Sequence, residues 1–222
     1  MIHAIDEVLA DLQRRAADTE PPRESIAALS PMLDVRDLHV FDGLVDDPQG
    51  YERIVRAQEF KTVTVGSASF HGIAACPDDA LPRAIQSMFP EARPTITFFR
   101  QSPAGQLEPN FIHTDRDMGD WTAIFYLTSD PQPGDGTTFW RRKSDGAQAS
   151  TATSDAEFFE EWATWRDADL WEPWHTVEAK PNRLLIFPAP AFHSRALFDG
   201  YGEQGTNARL IQLVFGTGRL CQ

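Results

Sequence analysis

The sequence predicts a mainly β fold, either a barrel or a sandwich, built as one domain. From about Asp37 onward, short runs rich in β-branched and aromatic residues alternate with Pro, Gly and Asp, which end strands and form turns. The predicted strands are Leu38–Phe41, Lys61–Val65, Thr95–Arg100, Trp121–Thr128, Thr137–Arg141, Trp174–Val177, Arg183–Phe187 and Arg209–Phe215. A chain of 222 residues can bury a substantial core without a disulfide framework.

The predicted helices interrupt the strands and do not alternate with them. Residues 2–16 carry apolar side chains at helical spacing and precede Pro21 and Pro22, which predicts an N-terminal helix. This helix packs either on the domain or on a second subunit, and in the second case it forms a homodimer. Two further helices, Gln49–Gln58 and Pro82–Phe89, are too short to connect parallel strands as crossovers.

A long insertion, at about residues 144–172, separates two of the predicted strands. Its first half is small and polar, whereas its second half places aromatic residues at helical spacing behind a capping Ser154-Asp155 pair, so we predict a loop followed by a helix. Trp162 and Trp165 are interpreted as core residues, with a lid over a pocket as the alternative. The chain then divides into an N-terminal helical extension, residues 1–34, and a β domain, residues 35–222.

Composition limits the partners and the compartment. The net charge of −13 disfavours nucleic acid, because proteins that bind phosphate backbones present an excess of Lys and Arg. Cys76 and Cys221 are the two cysteines and sit in contexts that suit neither a disulfide nor a metal site. No signal peptide or apolar span is evident, so the sequence predicts a cytoplasmic protein that does not cross a membrane.

Three residues form a candidate metal site: His113, Asp115 and His193. Residues two apart on an extended chain point the same way, so His113 and Asp115 can face one ion. Two imidazoles and one carboxylate on one face of an octahedral Fe(II) leave the opposite face open for ligands. The remaining histidines, which we interpret as structural or exposed, are His3, His39, His71 and His175. Asp117 lies in a predicted turn and is placed outside the site.

Four segments around these residues resemble the Fe(II)/2-oxoglutarate-dependent oxygenase superfamily, near its prolyl-4-hydroxylase-like branch. They are Pro109–Thr128, Gly134–Trp140, Asn182–Ser194 and Arg209–Gly216. In that family a His-x-Asp pair precedes a strand ending in Tyr-Leu, a Gly-x-x-Thr-x-Phe turn follows, and a strand ending in Phe-Pro leads to the distal His. The resemblance implies a double-stranded β-helix (a jelly roll or cupin-like barrel) with flanking α-helices.

The resemblance also implies the ligands and their residues. Fe(II) would be held by the three metal residues, with 2-oxoglutarate and O₂ as co-substrates and ascorbate in a supporting role. Arg209 stands where the family grips the distal carboxylate of 2-oxoglutarate, and a guanidinium fork suits a carboxylate. Arg195 is the alternative, although we expect it to begin the exit from strand to loop rather than line a strand. Tyr126 and Arg100 are further cofactor-binding candidates, with a core tyrosine and a rim salt bridge as the competing interpretations.

The implied activity is hydroxylation of a C–H bond in a small molecule or amino acid derivative, with release of succinate and CO₂. Asp115 favours hydroxylation over halogenation, because related halogenases carry a small residue at this position. A peptide side chain is the alternative substrate. The competing functions are a cupin-like protein that binds metal or ligand without redox chemistry, and a structural β domain in which the three residues only form hydrogen bonds.

Overall fold

The computed structural model describes residues 33–35, 38–65, 68–106, 111–152, 154–165 and 167–220. The predicted helix over residues 2–16, His3, Cys221 and most of the predicted extension over residues 1–34 lie outside the described residues. The helix, the homodimer that it would form and the domain boundary therefore stay predictions. None of the described helices is long and apolar enough to cross a membrane.

The described residues form eleven strands, which include all eight that the sequence predicts. Their bounds are β1 Leu33–Val35, β2 Leu38–Asp42, β3 Lys61–Val65, β4 Ala68–Ala75, β5 Arg93–Ser102, β6 Trp121–Tyr126, β7 Gly136–Arg142, β8 Trp171–Glu178, β9 Arg183–Pro188, β10 His193–Arg195 and β11 Arg209–Thr217. Pairing between them is antiparallel throughout.

Two sheets face each other. The large sheet has the order β1-β2-β9-β6-β11-β5-β4-β3, and the small sheet has the order β10-β7-β8. An antiparallel bridge between His113 and His193 extends the small sheet beyond β10. From β5 onward the chain passes back and forth between the sheets, and this strand order is that of a double-stranded β-helix. The predicted fold class is therefore confirmed.

Alternation along the strands separates two apolar cores. On β11, Leu210 and Val214 face outward into a core shared with the helices, whereas Ile211 and Leu213 face the space between the two sheets. We call this space the barrel interior. Residues of β5, β6 and β9 follow the same alternation. On these strands every second residue therefore faces the barrel interior, and we say that such residues have the same parity.

Three helices flank the sheets within the described part of the chain. Helix α1, Pro48–Arg56, begins at Asp47, whose side chain accepts a hydrogen bond from Gly50 N at 2.8 Å. Helix α2 spans Ala80–Met88, so both helices start slightly before their predicted first residue. Helix α3, Asp155–Thr164, starts with a reciprocal Ser154–Glu157 capping box, which confirms the predicted cap and helix.

Two strands were missed by the sequence analysis, apart from the short β1. Strand β4 contains Gly72, which the sequence pattern treats as a break. Here Gly72 has a φ of +68°, and a Cβ at this position would lie 2.2 Å from the carbonyl oxygen of Gln101 on β5. A glycine thus permits the close approach of the two strands. Strand β10 has only three residues, too few to show alternation.

Candidate metal centre

His113, Asp115 and His193 converge because backbone hydrogen bonds join the segments that carry them. His113 N donates to His193 O and His193 N donates to His113 O, both at 2.9 Å. Asp115 N donates to Ala189 O at 2.8 Å, in the segment that leads from β9 to β10. These contacts do not depend on the side chains of the three residues, so the backbone itself brings the three residues together.

We call His113, Asp115 and His193 the metal group, because the distances between their side chains suit a single metal ion. His193 Nε2 lies 3.3 Å from Asp115 Oδ2, and His113 Nε2 lies 3.9 Å from Asp115 Oδ1. Two ligands at a right angle, with metal bonds of about 2.1 Å, lie about 3 Å apart. Among the described residues, no other group of three or more His, Cys, Asp or Glu side chains lies close enough together to hold a metal ion. Two imidazoles and a carboxylate are also the donor set of non-heme Fe(II) sites.

Hydrogen bonds orient both imidazoles toward the shared point. The Nδ1 atoms of His113 and His193 lie 3.2 Å and 3.0 Å from the carbonyl oxygens of Phe111 and Ala191. With Nδ1–H donating to these carbonyls, each Nε2 keeps its lone pair for a metal. On the third candidate ligand, the hydroxyl of Thr122 donates to Asp115 Oδ2 at 2.9 Å and fixes the carboxylate plane.

Mutual attraction holds the carboxylate ionised. Burial by itself would raise the pKa of Asp115, but His193, His113 and the Thr122 hydroxyl together lower it to about 2. Burial acts to lower the pKa of His193, and the Asp115 carboxylate outweighs this and raises it. A negative charge is therefore fixed beside two imidazoles, an environment that attracts a cation.

The insertion packs behind the metal residues. Ile112 and Phe192, the residues before the two histidines, are fully buried in a cluster with Trp165 and Trp171. Arg116 Nη1 donates to Ala152 O at 2.7 Å, which ties the His-x-Asp segment to the same insertion. Trp165 is 4% exposed, which confirms its core role. Trp162, in contrast, is 38% exposed, so its interpretation as a core residue is wrong: it lies on the solvent face of α3.

A second polar group lies in the barrel interior and includes Arg209. This arginine has the parity of Ile211 and points inward, with its guanidinium carbon 5.9 Å from the centre of the Tyr126 ring. Tyr126 OH lies 2.6 Å from Thr137 Oγ1, and Arg209 Nε donates to Asp135 Oδ1 at 2.9 Å. Burial raises the pKa of Tyr126 to about 12, so its hydroxyl stays protonated. We call Arg209, Tyr126, Thr137 and Asp135 the arginine cluster.

Arg195 and Arg100 also face the barrel interior. Arg195 ends β10 directly opposite Thr137, and opposed residues of an antiparallel pair share a face. Arg195 is the last residue of β10 but still lines the strand, so the expectation that it would not do so is wrong. Its Nη2 donates to the carbonyls of Gln106 and Phe198 at 2.8 and 3.0 Å. Arg100 pairs with Ile73 and Ile211, both in the interior core, so it lies inside the barrel.

The other candidates lie apart from the centre, as predicted. His39 is buried and its ring centroid lies 4.9 Å from that of Phe89, while His71 is exposed and its Nδ1 lies 3.0 Å from Thr62 Oγ1. His175 lies on β8 opposite Phe139, one strand further from His193, and does not belong to the set that could hold a metal. Asp117 is exposed in a short 3-10 turn after Asp115.

Sequence reasoning missed Thr122 and Asp135. Thr122 was not predicted as a site residue, because a hydroxyl carries no ligand signature in a sequence. Asp135 lies within the quoted Gly134–Trp140 segment, and its acidic side chain among glycines was the available signal.

A family model described as a family of unknown function, DUF6445, matches residues 31–203. The chain belongs to this family. No curated protein matches the sequence.

Several solved structures are similar to the chain at low identity. The non-heme alpha-ketoglutarate-dependent epimerase SnoN from nogalamycin biosynthesis is 14% identical, with a TM-score of 0.49 over 94% of this chain and 82% of that one. HygX from Streptomyces hygroscopicus, solved with nickel, 2-oxoglutarate and hygromycin B bound, is 14% identical, with a TM-score of 0.44 over 80% of this chain and 81% of that one. A Pseudomonas putida prolyl-4-hydroxylase is 19% identical, with a TM-score of 0.37 over 98% of this chain and 88% of that one. The fold assignment rests on the order of this chain's own strands.

Proposed function

We propose that the protein is an Fe(II)- and 2-oxoglutarate-dependent dioxygenase that hydroxylates a C–H bond of a small molecule or amino acid derivative. The observation that carries the proposal is the presence of a three-residue metal group and an inward-facing arginine within one barrel interior. His113, Asp115 and His193 would hold the iron. When bound, iron with 2-oxoglutarate and O₂ supplies the oxidation, which releases succinate and CO₂.

The spacing of the two groups supports a dicarboxylate co-substrate. Phe139 lies opposite His193 on β7, and Thr137, two residues away, contacts Tyr126 beneath Arg209. Two residues of a strand span about 7 Å, which is the scale of a five-carbon dicarboxylate. Arg209 and the Tyr126 hydroxyl would then hold the distal carboxylate while the other end approaches the metal.

Buried aromatic rings beside His193 form an apolar wall of the barrel interior. The ring centroids of Phe187 and Phe139 lie 4.8 Å and 6.4 Å from that of His193, and both phenylalanines are fully buried. A site that excludes water strengthens the electrostatic hold on an anion and limits side reactions. The interior is thus suited to the oxidation of one enclosed group.

The test is a succinate assay with Fe(II), 2-oxoglutarate, O₂ and ascorbate. Pools of small metabolites, amino acid derivatives and, separately, peptides are screened, and mass spectrometry searches for the gain of one oxygen atom. We expect succinate formation that requires iron and is stimulated by the small-molecule pool. Asp115→Ala should abolish it, whereas Asp117→Ala, an exposed carboxylate two residues away, serves as the matched control. Stimulation by peptides alone would assign the protein-hydroxylase alternative. Absence of iron-dependent succinate from every pool would contradict the proposal.

A further inference from the structure

Asp135 is a buried acidic residue whose two oxygens are both engaged in the arginine cluster. Its Oδ1 accepts from Arg209 Nε at 2.9 Å and from Gly136 N at 2.7 Å, and its Oδ2 accepts from Tyr201 OH at 3.0 Å. Asp135 and Arg209 are 2% and 3% exposed. A fully buried carboxylate thus lies beside the guanidinium that would bind the co-substrate.

These contacts select which edge of the guanidinium can meet a ligand. Among the described residues, the hydrogen bonds of Arg209 leave from Nε, to Asp135, and from Nη2, to Gly136 O at 3.4 Å. An arginine can grip a carboxylate through its side edge, Nε and Nη2, or through its end edge, Nη1 and Nη2. Asp135 and Gly136 occupy the side edge, so the end edge is the one available for a bidentate contact.

The charge of Asp135 opposes the binding that its geometry favours. Arg209 with Asp135 forms a neutral pair, and an entering carboxylate meets the attraction of the first and the repulsion of the second. Inside a protein such interactions remain strong across several ångströms. We propose that Asp135 is a positioning residue that fixes the end edge of Arg209 toward the barrel interior and lowers the affinity for the distal carboxylate of 2-oxoglutarate. This inference rests on the proposed function.

Tyr201 connects the pair to the segment between β10 and β11. This segment, residues 196–208, makes the distance from His193 to Arg209 long. Tyr201 reaches from it to Asp135, and Ala208, at its end, is fully buried. The long connection therefore supplies a donor that holds the Asp135 carboxylate in place.

Asp135→Asn is the variant that separates charge from geometry. The Asn carbonyl can still accept from Arg209 Nε and Gly136 N, and its amide can donate to the Tyr201 hydroxyl. Calorimetric titration of 2-oxoglutarate into the anaerobic Fe(II)-loaded protein should give a Kd lower by roughly tenfold or more than that of the wild type. Binding of 2-oxobutyrate, which has no distal carboxylate, should change little.

Asp42→Asn is the matched control. Asp42 forms a separate, partly exposed arginine pair, with Arg183 Nε and Nη2 at 2.6 and 2.8 Å, and Arg183 lies opposite Tyr126 in the large sheet. Its loss should change the Kd of 2-oxoglutarate much less than the loss of the Asp135 charge, because its carboxylate is bound to Arg183 and not to Arg209.

Thermal unfolding gives a second readout. Without ligand, Asp135→Asn should melt below the wild type, because Arg209 loses its buried counter-charge, and 2-oxoglutarate should raise its midpoint more than that of the wild type. Should this variant fail to fold, Asp135→Ser removes the same charge together with the orienting contact to Arg209, so the Kd should still fall below that of the wild type but by less than in Asp135→Asn. If the wild type binds 2-oxoglutarate and the variants bind it with an equal or higher Kd, the inference about Asp135 is overturned while the proposed function stands. A wild type that does not bind 2-oxoglutarate would instead overturn the proposed function, and the inference with it.

Discussion

The metal group and the arginine cluster lie in one barrel interior but are positioned by different means. His113, Asp115 and His193 are brought together by backbone hydrogen bonds between the segments that carry them. Arg209 instead has a long side chain whose direction is set by a second side chain, that of Asp135. The short side chains of His113, Asp115 and His193 have few rotamers, so the paired backbone largely sets their positions. The long side chain of Arg209 has many rotamers, and a second side chain is needed to fix its orientation. The first arrangement leaves a spacing signature in the sequence, and the second does not.

The largest expected effect comes from removing a metal ligand. His113→Ala or Asp115→Ala should weaken Fe(II) binding by about 100-fold or more, because a facial site loses one of its three protein donors. The fold should persist, since the bonds between His113 and His193 are made by backbone atoms. Competition with a chelator measures the affinity, and His71→Ala, an exposed histidine on β4, is the control. Unchanged Fe(II) affinity in His113→Ala and Asp115→Ala would show that these residues do not bind the metal.

Arg209→Ala should weaken the binding of 2-oxoglutarate without affecting the binding of the metal. We expect 2-oxoglutarate to bind roughly 10- to 100-fold more weakly, with Fe(II) affinity retained, because a charge-assisted carboxylate contact is lost. The substitution would also leave Asp135 without its cation, so Arg209→Ala with Asp135→Asn is the fairer variant. Arg195→Ala should affect the Gln106 and Phe198 carbonyl contacts instead. A weakening seen only with Arg195→Ala would move the carboxylate site to that residue.

Thr122→Val should have a smaller effect, confined to the metal end. It removes the hydroxyl that donates to Asp115 Oδ2 and keeps the shape of the side chain. Partners of this kind typically contribute 10-fold or more to metal affinity, so we expect about a 10-fold loss. Thr138→Val, which removes a hydroxyl contact with Thr176 on the small sheet, is the control. Equal losses in the two variants would mean that the Thr122 contact has no particular role.

Asp42→Asn should give the smallest effect and a dependence on pH. The hydrogen bond from Arg183 lowers the pKa of Asp42 below its ordinary value of 3.8, so this carboxylate stabilises the fold above pH 3.8 and loses that contribution as the pH falls below it. The variant should be less stable than the wild type at neutral pH by about 1 kcal/mol or less, since the pair is partly exposed. Denaturant unfolding should show this gap closing below pH 3.8. A gap that persists in acid would mean that the charge is not its cause.

The sequence predicted the strands and the metal group because each has a local pattern. Alternating apolar residues identify a strand such as β6, and His-x-Asp identifies two ligands on one extended segment. The same reasoning could not find β4, where Gly72 serves a contact with β5 that is distant in sequence. It also misjudged Arg195, because a strand of three residues is defined by its partner Thr137 and not by its own composition. The pairing of Arg209 with Asp135 joins residues 74 apart and depends on the finished barrel.

The most direct measurement of the central claim is an anaerobic titration of the protein with Fe(II) and then 2-oxoglutarate, followed by visible absorption. A keto acid that chelates iron through two open positions gives a weak charge-transfer band. The account predicts this band in the wild type, its loss in His113→Ala and Asp115→Ala, and a shift to higher 2-oxoglutarate concentrations when Arg209 is replaced. A wild-type protein that binds Fe(II) without developing the band would contradict the account and favour a metal site without 2-oxoglutarate chemistry.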